Sequence, residues 1–127
     1  MPTVLVVDDE VNIRELLRRI LEPEGYTVAS APDAATALAA MSAHSPHVVF
    51  LDVHMPGENG LWLAEQIQQQ FPTSATVLAT ADPDIPTAER LRRGIIGCLV
   101  KPFNRDDVLR AAADGVEWAA ALRNLQH

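Results

Sequence analysis

Four short apolar runs in this 127-residue chain each end in a residue able to do chemistry. Val4-Leu5-Val6-Val7 is followed by Asp8-Asp9, and Val48-Val49-Phe50-Leu51 by Asp52. Thr76-Val77-Leu78-Ala79 is followed by Thr80, and Cys98-Leu99-Val100 by Lys101-Pro102. Side by side, these runs would converge three carboxylates, a hydroxyl and an ammonium on one rim. Clustered carboxylates repel one another and need a counter-charge. A hard cation supplies it, and Mg²⁺ takes a few carboxylates together with waters and phosphate oxygens. Phosphoryl transfer needs charge neutralised on the transferring oxygens and a nucleophile held in line. A strand-end carboxylate can be that nucleophile and become an acyl phosphate. Lys101 is a compact point charge for a carboxylate or phosphoryl oxygen, and Thr80 can donate one hydrogen bond. By its chemistry alone, the set describes a metal-assisted phosphoryl acceptor.

Such a rim requires elements that bring the run ends together. The runs Val4–Val7 and Val48–Leu51 are continuously apolar and rich in β-branched residues, as strands buried on both faces of a parallel sheet are. Tyr26-Thr27-Val28-Ala29 is a further strand candidate. Between the runs the spacing is helical. Val11, Leu16, Leu17, Ile20 and Leu21 mark a first helix stopping at Pro23 and Gly25, and an alanine-rich second runs from about Asp33 to Met41. Leu61, Leu63, Ile67 and Phe71 mark a third ended by Pro72; a short fourth covers roughly Thr87 to Arg93, before Gly94. Asn104 can cap a fifth, with Asp107 at N3 favouring the helix dipole, continuing through Leu122. Strict alternation with short connections predicts an α/β fold: five parallel strands with helices on both faces. Right-handed crossovers leave few topologies, of which the order 2-1-3-4-5 is common. Ligands of such sheets bind beyond the carboxyl ends of the strands, where the polar residues fall.

Composition narrows the functions available. The length suits one domain over residues 1–127. A formal charge of −7 argues against a nucleic-acid-binding surface and for cation binding. A lone cysteine, Cys98, excludes an internal disulfide and fits a reducing compartment. The start of the chain does not read as a signal peptide, and no apolar stretch is long enough to span a bilayer. A soluble, cytoplasmic protein without membrane contact is expected. His44, His47, His54 and His127 lack metal-ligand spacing, and Cys98 reads as a packing residue.

The segments Val4-Leu5-Val6-Val7-Asp8-Asp9-Glu10, Phe50-Leu51-Asp52-Val53-His54-Met55-Pro56-Gly57, Thr80-Ala81 and Lys101-Pro102-Phe103 resemble those of the response-regulator receiver family. The resemblance covers essentially the whole chain and implies the flavodoxin-like receiver fold. It also implies that Asp52 accepts a phosphoryl group from a histidine kinase or histidine phosphotransfer protein. Asp9 and Asp52 would bind Mg²⁺, Asp8 mainly through water, with the backbone carbonyl of His54 as another ligand. Thr80 and Lys101 would contact the phosphoryl oxygens, and Pro102 would take the family's cis-peptide position. The protein would be a phosphoacceptor switch rather than a turnover enzyme, pairing with a second copy or leading into an effector domain.

Rival readings fit less well. A haloacid-dehalogenase-type enzyme places a second Asp two residues after its nucleophile, where this chain has His54. A flavodoxin needs a Ser/Thr-rich phosphate loop after the first strand, and here that loop is acidic. A receiver-fold interaction module that is never phosphorylated is the remaining alternative. One departure from the family pattern stands out: Cys98 occupies the position, three before the lysine, where an aromatic usually moves with the threonine. The read-out is therefore expected to depend on the Ala81–Pro86 loop and the arginine-bearing helix after it. A final-helix stripe, Trp118, Leu122 and Leu125, is available for pairing or for packing on its own domain.

Overall fold

The computed structural model describes residues 2–55, 59–81 and 85–125, apart from the side chain of residue 87. Strands β1 (Thr3–Val7), β2 (Thr27–Ala31), β3 (Val48–Leu51), β4 (Ala75–Thr80) and β5 (Ile95–Val100) alternate with helices α1 (Val11–Leu21), α2 (Ala34–His44), α3 (Gly60–Gln70), α4 (Thr87–Arg92) and α5 (Arg105–Leu125). The sheet is parallel throughout, in the order β2-β1-β3-β4-β5. That is the predicted architecture.

The central strands β1, β3 and β4 are buried almost throughout, which is why their sequences run apolar without alternation. On one face Leu5, Val49 and Leu78 pack beneath Ala37 and Met41 of α2 and Leu63 and Ile67 of α3. On the other, Val6, Phe50 and Val77 pack beneath Leu17 and Leu21 of α1 and Val108 and Ala112 of α5. The alanines of α2 let it lie close to the sheet, and Asp33 starts it by accepting the Thr36 amide at 2.8 Å. Asn104 caps α5 as expected, accepting the Asp107 amide at 2.8 Å.

Differences from the sequence reading lie at element ends. β2 covers Thr27–Ala31 rather than Tyr26–Ala29, because its register with Thr3–Val7 carries it through the exposed Ser30. α1 gives way to a single 3₁₀ turn over Glu22–Glu24, in which Pro23 sits at a start position that needs no amide donor. β5 begins at Ile95, three residues early, and meets β4 through a register shift opposite Thr76 and Val77. α5 extends to Leu125, beyond the expected Leu122.

Candidate phosphoacceptor site

The parallel ladder itself assembles the rim. The Asp8 amide donates to Ala31 O at 3.1 Å, the Asp52 amide to Val7 O at 3.1 Å, and the Lys101 amide to Thr80 O at 2.9 Å. Each polar residue is thus the first beyond its strand, fixed to the neighbouring strand end. Lys101 Nζ sits 2.9 Å from Asp52 Oδ2 and 2.9 Å from Asp8 Oδ2, so one ammonium bridges two carboxylates from different strands. The other oxygens are held by backbone: the Glu10 amide donates to Asp8 Oδ1 at 2.9 Å and the His54 amide to Asp52 Oδ1 at 3.1 Å. Arg14 of α1 donates to Asp8 O at 2.7 Å. Thr80 is fully buried at the end of β4. The peptide bond between Lys101 and Pro102 is cis, as the resemblance implied.

Electrostatically the site is short of positive charge. Burial pushes the Asp8 carboxyl above its ordinary value of 3.8; the Glu10 amide and Lys101 pull it back only partly, and the Asp52 charge adds to the rise. The Lys101 pKa is raised as well, which for a base favours the charged form. Burial disfavours its charge, but the Asp8 and Asp52 carboxylates beside it outweigh that, holding its pKa above 10.5. The Asp8–Lys101 contact is ionic in character: Asp8 Oδ2 is buried yet has no partner in hydrogen-bond geometry.

The acidic run beside this bridge fits a cation. Carboxylate oxygens of Asp8, Asp9 and Glu10 lie within 4.8 Å of one another, with Asp8 buried and the other two exposed. Hard oxygen donors, one from a buried and two from exposed carboxyl groups, suit Mg²⁺, which keeps several waters and few protein ligands. Glu10 was not singled out in the sequence as a ligand, although it continues the acidic run. Asp52 stands outside this cluster and is joined to it through Lys101.

The remaining candidates fall as follows. His54 offers its amide to Asp52 while its side chain is exposed. His44 ends α2, and His47 accepts the Thr3 amide at Nδ1, 3.3 Å away. Cys98 is half-buried and packs against the α2–α3 side of the core. Pro56, Gly57, Asp82, Pro83, Asp84 and His127 lie outside the described residues. A groove of about 440 Å³ between β5 and α5 is lined by Cys98, Val100 and Arg110 among others, and by none of the rim residues.

Alternating topology, with an acidic pair and an aspartate–lysine bridge at the strand ends, defines a phosphoacceptor-type receiver. Residues 4–113 match the response regulator receiver domain. The chain belongs to the response regulator receiver family, the phosphoacceptor switches of two-component phosphorelay signalling. It is 39% identical over 126 residues to the nitrogen assimilation regulatory protein NtrX of Azorhizobium caulinodans, covering 97% of this chain and 28% of that protein. It is 34% identical over 111 residues to the aerobic respiration control protein ArcA of Escherichia coli, covering 87% and 47%. The chain therefore spans about a quarter to a half of these relatives' lengths. Among solved structures, the receiver domain of NtrX from Brucella abortus superposes with a TM-score of 0.83 at 38% identity, covering 90% of this chain and 98% of that one. The response regulator TrrA of Thermotoga maritima, in complex with Mg²⁺ and beryllofluoride, gives 0.82 at 33% identity, covering 91% and 99%.

Proposed function

We propose that this chain is a Mg²⁺-dependent switch in which Asp52 accepts a phosphoryl group from a histidine kinase or histidine phosphotransfer protein. The observation that supports this reading is the Lys101 bridge, one ammonium shared between the carboxylates of Asp52 and Asp8. Both Asp52 oxygens are oriented before transfer, Oδ1 by the His54 amide and Oδ2 by Lys101. One oxygen attacks phosphorus, forming an O–P bond as the P–N bond to the donor histidine breaks and the imidazole leaves with the bonding pair. Lys101, still anchored by Asp8, then turns its charge to a phosphoryl oxygen, and the Thr80 hydroxyl donates to another. Asp9, Asp52 and the His54 carbonyl would hold Mg²⁺, with Asp8 in support, and the bound ion would supply charge neutralisation for phosphoryl transfer. Glu10 borders the same position.

In this reading residues 1–127 form one domain, and chemistry stops at autophosphorylation from small donors and hydrolysis of the aspartyl phosphate. Output passes to a second copy or to an effector domain, as the greater length of the relatives suggests. A cytoplasmic setting goes with the reduced thiol of Cys98. No helix among the described residues is long and apolar enough to cross a membrane. A module that is never phosphorylated would have no use for the acidic pair and the lysine bridge. The test is incubation with acetyl phosphate and Mg²⁺ followed by intact-mass measurement. The parent should gain one phosphoryl group, Asp52→Asn none, and Asp9→Ala should lose labelling and Mg²⁺ affinity together. Equal labelling of Asp52→Asn would reject the assignment.

A further inference from the structure

The turn from β1 to α1 carries Asp8, Asp9 and Glu10, and no side-chain cap closes it. Glu10 is the extended residue before α1, and its side chain accepts none of the helix's first amides. Bonds to backbone carbonyls hold the turn instead. The Asp8 amide is fixed to Ala31 O at 3.1 Å, which sets where the turn starts. At its end the Ile13 and Arg14 amides donate to Glu10 O at 3.1 Å and 3.2 Å, opening the helix. Arg14 then reaches back across the turn, and its NH1 donates to Asp8 O at 2.7 Å. One residue therefore grips two carbonyls, those of Asp8 and Glu10, and Asp9 is the residue between them.

The acceptor that Arg14 takes is informative. It follows a run of three acids, yet its hydrogen bond goes to a carbonyl and not to one of their carboxylates. A charge-assisted bond of this length is strong and directional. It takes up none of the oxygens that could hold a cation. Arg14 is half-buried, so the bond is partly shielded from water. Lys101 does the opposite and binds the Asp8 and Asp52 carboxylates directly. Of these two cations at the rim, one acts on the oxygens and the other on the chain that carries them.

We infer that Arg14 is a positioning residue for the metal site: by clamping Asp8 O to the first turn of α1, it sets the backbone that presents Asp9. The inference rests on the phosphoacceptor reading above, in which Asp9 holds Mg²⁺. Mg²⁺ demands near-octahedral ligands at short distance, whereas Ca²⁺ tolerates longer and more varied ones. A turn held at both ends favours the stricter ion, and a loosened turn gives up that preference first. Charge acts in the opposite sense. A guanidinium beside the acids opposes cation binding, so its removal, taken alone, should tighten the binding of both ions.

Calorimetric titrations with Mg²⁺ and with Ca²⁺ compare the parent with Arg14→Met and Arg14→Lys, each checked for folding by circular dichroism. Methionine keeps much of the apolar stem and removes charge and donor together; lysine keeps the charge and a single donor nitrogen. Arg14→Met should lose about tenfold in Mg²⁺ affinity but less than about threefold in Ca²⁺ affinity. Arg14→Lys should shift the ratio of the two in the same direction by a smaller factor, and it carries the test if the methionine variant does not fold. A purely structural role would lower both affinities together, and a pure charge effect would raise both. An unchanged Mg²⁺-to-Ca²⁺ ratio in the folded variants, by either of these routes or with both affinities parental, would overturn the inference. Mg²⁺ binding that is absent from the parent, or unaltered by Asp9→Ala, would instead overturn the metal reading on which it rests.

Discussion

At the level of single residues, burial of the Asp8 carboxyl carries a cost in stability. Its carboxyl is buried and shares one lysine with Asp52, which raises its folded pKa above 3.8. As pH rises, the unfolded chain therefore releases this proton first, and the folded protein loses stability between 3.8 and the raised value. That loss persists at neutral pH. Asp8→Asn keeps an oxygen for the Glu10 amide and removes the charge, so without metal it should be more stable than the parent. Urea unfolding in EDTA should show this advantage growing across the interval above pH 3.8 and then levelling. An advantage independent of pH would point to packing rather than charge. The same variant should bind Mg²⁺ more weakly. The site was largely legible because its residues stand directly after apolar runs, so Asp8, Asp52, Thr80 and Lys101 needed only the strand order. Glu10 was not, since an acid opening a helix serves equally well as a dipole partner.

Among the elements, α3 has the tightest requirement, because its first residue fills no space. Any side chain at Gly60 would drive into the carbonyl of Asp52, a backbone atom that cannot move aside cheaply. Gly60→Ala should cost about 2–3 kcal/mol in urea unfolding and slow acetyl-phosphate labelling as well. Asn59→Ala should cost only about 1 kcal/mol, from loss of the cap that accepts the Trp62 amide, and leave the labelling rate near the parent's. Similar rates in the two variants would mean that the α3–Asp52 contact does not position the acceptor. Central strands were readable from their apolar runs, whereas the edge strands were found but their extents were not. β2 carries Thr27 and Ser30 outward, and β5 includes Gly97 and a register shift that no local pattern announces. An ion pair between Arg93 and Glu65 joins residues 28 apart, and three arginines in a short helix do not indicate which of them is turned inward.

Across the whole molecule, the end opposite the site is stitched by α5. Arg123 donates to Ser45 O at 3.1 Å and Pro46 O at 3.0 Å, and His47 beside it accepts the Thr3 amide. Trp118 packs on the core and Leu122 is half-buried, while Leu125 is 81% exposed. The stripe read from the sequence is therefore divided: most of it serves its own domain, and its last residue is open. Burial, and then the Arg123 and N-terminal charges, hold the His47 pKa below 6.5. This histidine's contribution is present above pH 6.5 and is lost as pH falls through the folded value. His47→Gln should flatten the decline of stability below pH 6.5, measured by urea unfolding; an unchanged slope would contradict the assignment. The central claim remains the identity of the acceptor. Borohydride reduction of the acetyl-phosphate-treated protein converts an aspartyl phosphate to homoserine, which peptide mass mapping locates. The account predicts conversion at residue 52 alone and only when Mg²⁺ is present; conversion at Asp8 or Asp9, or none in a folded and metal-loaded protein, would contradict it.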